Sequence, residues 1–148
     1  MPSSPQRPRE RLGPSWRGSP VPQAVLEQHL PARSTAPQVA RQVTRGACRT
    51  WRVGPACDAA ILAVSELVGN AVRHGGPGQL VLRLAMTPRR LRLEVTDSGD
   101  GLPGVRRPTS EEEGGRGLLL VSAVSARWGV RRDPVGKTVW VEIALPVA

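Results

Sequence analysis

SELVGNAVRH, residues 65–74, is the stretch on which the reading of the fold turns. Glu66, Asn70 and His74 recur at i, i+4 and i+8, so on a helix they lie along one face about a turn apart. Around them Ile61, Leu62, Val64, Leu67, Val68, Ala71 and Val72 supply a broad apolar face, which predicts a helix from Ala56 to His74. Asp58 stands near its start, where a carboxylate suits the helix dipole, and Gly75-Gly76-Pro77-Gly78 stops it. A carboxylate and an amide oxygen on one row of an apolar helix can orient a hydroxyl and ligate Mg²⁺, a hard cation that prefers oxygen. The same row also reads as a solvent-facing polar stripe.

Upstream, Val39, Val43, Ala47 and Thr50 recur at three- and four-residue steps, with arginines at 41, 45, 49 and 52 on another face. This predicts an amphipathic helix from Thr35 to Trp51, capped by Ser34 or Thr35 and ended before Gly54-Pro55. Val25–Leu30 reads as a short edge strand ending at Pro31. Residues 1–22 hold six of the 15 prolines with Ser, Gly and Arg and no periodicity, so they read as a disordered tail ahead of a domain over 23–148. Downstream, Leu80–Ala85, with Leu80, Leu82 and Leu84 on one side, and Leu91–Thr96, with polar side chains at every second position, form a hairpin around Thr87-Pro88-Arg89-Arg90. The long stretch from Asp97 to Gly117 has the composition of a functional lid. A helix from Leu118 to Ala126 and a hairpin of Trp128–Arg132 and Lys137–Ala144 complete the order. Helices gathered early and hairpins after them predict an α/β two-layer sandwich: one mixed, mostly antiparallel sheet with helices on one face.

Composition narrows the function. The chain has 148 residues, 39% of them hydrophobic but with no Phe or Tyr, so its core is built from Leu, Val, Ala and Trp. No apolar run approaches the ~20 residues a membrane span needs. With no apolar leader at the N-terminus, a cytoplasmic location is expected. The net charge of +9 invites a nucleic-acid reading. Against it, the arginines are scattered through every element, and no strand offers aromatic stacking positions. Two cysteines, Cys48 and Cys57, and two scattered histidines make neither a zinc set nor a disulfide framework, and read as reduced structural thiols.

Two further clusters carry chemistry. Asp97-Ser98-Gly99-Asp100-Gly101 follows a strand directly. An aspartate there can accept the amino proton of adenine while the glycines let backbone approach a ligand. Gly114-Gly115-Arg116-Gly117 opens a predicted helix, where free N–H groups and a positive dipole end seat phosphate. Each alone also reads as an ordinary turn or linker. No Walker lysine pattern is present, because Gly136-Lys137-Thr138 lacks the preceding glycine loop.

In order and spacing, E-x-x-x-N-A-x-x-H, D-x-G-x-G and G-x-G resemble the N, G1 and G2 boxes of the GHKL (Bergerat-fold) ATPases, which include histidine kinases, gyrase and the anti-sigma-factor serine kinases. The resemblance runs from about Leu30 to Leu145. The short length and the start His-Leu-Pro-Ala-Arg look like the stand-alone anti-sigma kinase branch. It implies ATP and Mg²⁺ as cofactors, with Glu66 as general base and Asn70 as Mg²⁺ ligand. Asp97 reads adenine with Gly99 and Gly101 around it, Gly115 and Gly117 form the lid, and Thr138 helps hold adenine through Asp97 and water. His74 closes the first box near the phosphates, and Arg106, Arg107 or Arg116 would meet the γ-phosphate. The partners implied are a sigma factor and a small anti-sigma-factor antagonist whose serine is phosphorylated, with a homodimer as relatives commonly form. On this reading Asp97→Asn weakens base recognition and spares the fold. Two rivals stand beside it: an ATP-gated module that binds a protein without catalysis, and a nucleic-acid-binding protein.

Overall fold

The computed structural model describes residues 21–76, 78–99, 126–134 and 136–146. The tail over 1–20 and the stretch over 100–125, with Gly101, Arg106, Arg107, Gly115, Arg116 and Gly117, lie outside them. Five strands, β1 (Ala24–Pro31), β2 (Gln79–Met86), β3 (Arg90–Asp97), β4 (Arg127–Asp133) and β5 (Gly136–Ala144), form one sheet in the order β1-β2-β3-β5-β4. Among the described residues every pairing is antiparallel. Two helices, α1 (Ala36–Thr50) and α2 (Ala56–His74), pack on one face. The two-layer α/β sandwich expected from the sequence is the fold observed.

Alternation along the strands sorts the sheet into two faces. Leu80, Leu82 and Leu84 of β2, Leu91, Leu93 and Val95 of β3, and Val139, Val141 and Ile143 of β5 form one core with the helices. From α2 that core receives Ala60, Ala63, Val64, Leu67, Val68 and Ala71, close to the face read from the sequence. The helix α1 departs from expectation by about one position. Val39 is exposed and so is Thr50, while Ala36, Ala40, Thr44, Ala47 and Cys48 are buried. The reason is the neighbour: α1 lies against α2 rather than the sheet alone, and small side chains at 36, 40 and 47 let the two helices approach. Arg41, expected on a solvated basic row, reaches across to donate from Nη1 to Ser65 Oγ at 2.9 Å. Thr35 occupies the N-cap position, but its hydroxyl makes no capping bond. Ala126, expected as the end of a helix, instead donates its N–H to the Glu142 carbonyl and leads into β4.

The opposite face holds a paired ionic layer instead of a bare polar stripe. Arg92 donates from Nε to Glu94 Oε2 at 2.8 Å and from Nη1 to Glu142 Oε2 at 2.7 Å. Arg127 donates to Glu142 Oε1 at 3.1 Å, and the Arg92 guanidinium lies 4.2 Å from the Trp140 ring centroid. Trp140 is fully buried, and Gly129 makes room for it: a Cβ there would meet indole Cζ2 at 2.8 Å. Cation–π stacking and long arginine stems thus cover a face that has no helix over it among the described residues.

At the junction of the helices Cys48 and Cys57 are free thiols in mutual contact. Burial, followed by the hydrogen bond and charge interaction with Cys57, pushes the Cys48 thiol from 9.0 up to about 12. The neutral form is therefore favoured by folding. That contribution is fully present below pH 9 and is lost as the pH rises toward 12. Melting temperature should fall across this window, and Cys48→Ala should flatten the fall when the two proteins are melted side by side. An identical alkaline decline in both would exclude the thiol as its source.

Candidate functional site

The sheet register builds the site. Asp97 is the last residue of β3 and Lys137 the second of β5, and the antiparallel pairing sets them directly opposite. Both continue the helix-facing alternation of Val95 and Val139, so their charged ends fall at the edge of the core beneath the C-terminal turns of α2. Lys137 Nζ donates to Asp97 Oδ1 at 3.1 Å and to Oδ2 at 3.0 Å, and each side chain is 2% exposed. Asp97 Oδ1 also accepts the Gly99 N–H at 2.9 Å, which folds the chain back over the carboxylate.

Three glycines close around this carboxylate. A Cβ on Gly75 would meet Asp97 Cγ at 2.7 Å, and one on Gly99 would run into the Gly75 backbone. One on Gly136 would strike the Asp97 carbonyl. The helix stop, the loop after β3 and the start of β5 therefore pack backbone to backbone, and the glycine positions are fixed by that contact as well as by any ligand. Gly99→Ala should separate the Gly75 contact at a cost of about 1–3 kcal/mol, as overpacking does. A thermal melt unchanged from wild type would contradict it.

Leu67, Asn70, Ala71 and His74 of α2, with Val95, Asp97, Lys137 and Val139 of the sheet, line a recess of about 10 Å³, roughly room for one water. Its walls are apolar and its end is polar. Asn70 is 5% exposed, its Oδ1 accepts from Arg73 Nη2 at 3.0 Å, and its Nδ2 has no partner among the described residues. A buried donor without a partner carries a desolvation cost of about 1–3 kcal/mol that a bound acceptor would remove.

The structure thus brings Asn70, His74, Asp97 and Gly99 to one end of the sandwich. Glu66, half-buried on α2 one turn before Asn70, does not line the recess, and its carboxylate accepts no bond from any described residue. Thr138 is not at the recess. Its parity on β5 turns it to the other face, where its hydroxyl pairs with Thr96 Oγ1 at 2.7 Å and accepts from Arg131 Nη2 at 3.3 Å. The β5 side chain that contacts Asp97 is that of its neighbour Lys137. The sequence reads that residue only as the start of the last strand and as a lysine without a Walker loop, although it is the one lysine among 21 basic residues. Its singularity in an arginine-rich chain was the available signal. Gly101, Gly115 and Gly117 lie outside the described residues. Among the described residues no cluster of three or more His, Cys, Asp or Glu could hold a metal ion. No helix among them is long and apolar enough to cross a membrane.

The family model described as the histidine kinase-like ATPase domain matches residues 30–143, and the chain belongs to that family. A crystal structure of the RsbU and RsbW domains of a protein from Mycobacterium tuberculosis is similar in fold, with a TM-score of 0.63 and 20% identity. The match covers 85% of this chain and 34% of that one, so the present chain spans about a third of its length. The histidine kinase domain of a blue-light activated histidine kinase from Erythrobacter litoralis matches at 30% identity and a TM-score of 0.46, over 60% of this chain and 44% of that one. No curated protein gives a significant sequence match.

Proposed function

We propose that this ATPase-family domain binds Mg-ATP at the Asp97 end of the sheet and works as a regulatory serine/threonine kinase of the anti-sigma type. The observation that carries the reading is the recess itself, lined by a buried carboxylate from the sheet and by a buried amide from α2 whose Nδ2 has no partner among the described residues. An adenine would present its amino group to Asp97, with Leu67, Ala71, Val95 and Val139 as apolar walls that have to part to admit it, because the recess as it stands has room for about one water. His74 and Asn70 stand on the side toward which the phosphates would extend. Release of Asn70 Oδ1 by Arg73 would free an amide oxygen for the metal and a guanidinium for a phosphate. Mg²⁺, when bound, supplies charge neutralisation on the phosphates, which with positioning is most of what phosphoryl transfer requires.

Glu66 lies one helical turn from Asn70 with a carboxylate that accepts no bond from any described residue, suited to take a proton from a serine hydroxyl. The substrate is a serine on a small antagonist protein, and a sigma factor is the second partner, held by surface rather than by chemistry. The lid glycines Gly115 and Gly117 would cover the phosphates. The test is transfer of labelled phosphate from ATP to a protein that co-purifies from the native host. Label on a serine of that protein supports the kinase. ATP binding with no transfer to any co-purifying protein would favour the ATP-gated binding module instead.

A further inference from the structure

Lys137 is the unusual feature of the site. It is 2% exposed, and both oxygens of Asp97 accept from it. An ammonium has three N–H donors. Two are used on Asp97, and the third has no partner among the described residues, although Lys137 lines the recess together with Asn70. The end of the recess therefore presents an acceptor and a cationic donor about one hydrogen bond apart. A ligand edge that complements it carries an amino donor next to a ring acceptor.

We infer that Lys137 is a specificity-determining residue for the base: its free N–H donates to N1 of adenine while Asp97 accepts from the adjacent 6-amino group. This rests on the reading of the site as an ATP site, and adds to it a direct, charged contact to the ring nitrogen. The pairing is chemically demanding. Replacing N1 by C–H leaves the third ammonium proton buried against carbon, and a hydrogen bond to a charged group is worth roughly 10- to 100-fold in affinity. The 6-oxo purines reverse the edge, setting a carbonyl against the carboxylate of Asp97, and are disfavoured by both groups.

The test is calorimetric affinity of the folded full chain for ATP, 1-deaza-ATP and GTP, repeated with Lys137→Met. Wild type should bind 1-deaza-ATP about 10- to 100-fold more weakly than ATP. In Lys137→Met the two affinities should converge to a ratio of about one. A lysine that merely pairs with Asp97 would weaken both ligands alike and leave the ratio unchanged. Equal binding of ATP and 1-deaza-ATP by wild type would overturn the inference, as would GTP binding as tight as ATP. The wild-type comparison stands even if Lys137→Met does not fold. A wild type that binds none of the three nucleotides would instead sink the ATP reading on which the inference rests.

Discussion

Glu66→Gln is expected to bind ATP with wild-type affinity and to lose phosphoryl transfer by roughly 10²- to 10⁴-fold, the usual worth of a positioned base. The amide keeps the shape of the side chain and removes its basicity. The fold should be untouched, because Glu66 is half-buried and no described residue depends on its carboxylate for a hydrogen bond. A single radiolabel assay beside a binding titration separates the two effects. Equal transfer by wild type and variant would move the base elsewhere, and equal inertness toward every co-purifying protein would turn the account to the binding module.

Asp97→Ala is expected to cost stability as well as affinity. Removing one member of a buried ion pair leaves an uncompensated charge, at about 3–5 kcal/mol. Here the survivor is the ammonium of Lys137, 2% exposed and without another described partner. Asp97→Asn should be milder, since an amide oxygen can still accept from Nζ, but it too should melt below wild type. The double variant Asp97→Ala with Lys137→Met removes both charges and should recover much of the loss of the single alanine variant. Denaturant titration of the four proteins gives the coupling energy directly. Additive losses would show that the pair does not hold the end of the sheet.

This second expectation differs from the one drawn from the sequence, where Asp97 reads as a free acceptor whose replacement spares the fold. The difference lies in what a linear pattern can carry. The helix Ala56–His74 was legible to the residue, because 19 residues of 3.6-period apolar spacing end at a run of glycines. The strands were legible within a residue or two from alternation and turn chemistry. The site row Glu66, Asn70 and His74 follows from helix periodicity alone. Lys137 does not, because its meaning comes from the β3–β5 register, forty residues apart in the chain, which parity and pairing fix only in three dimensions. The same parity moved Thr138 to the opposite face. In α1 the apolar period was read correctly, but the phase was not. Val39 looks like the natural core residue of that helix, yet the close approach of α2 selects Ala36, Ala40 and Ala47 instead. The paired Arg92, Glu94 and Glu142 were visible as alternating charges, but their burial against Trp140 was not.

The central claim is that a nucleotide binds in the recess between α2 and the Asp97 end of the sheet. Isothermal calorimetry of the folded wild-type chain with ATP, in the presence and absence of Mg²⁺, tests it most directly. The account predicts saturable one-site binding that is strengthened by Mg²⁺ and weakened in Asp97→Asn at a temperature where that variant remains folded. No heat of binding to a folded wild type, or binding that Asp97→Asn leaves unchanged, would contradict it.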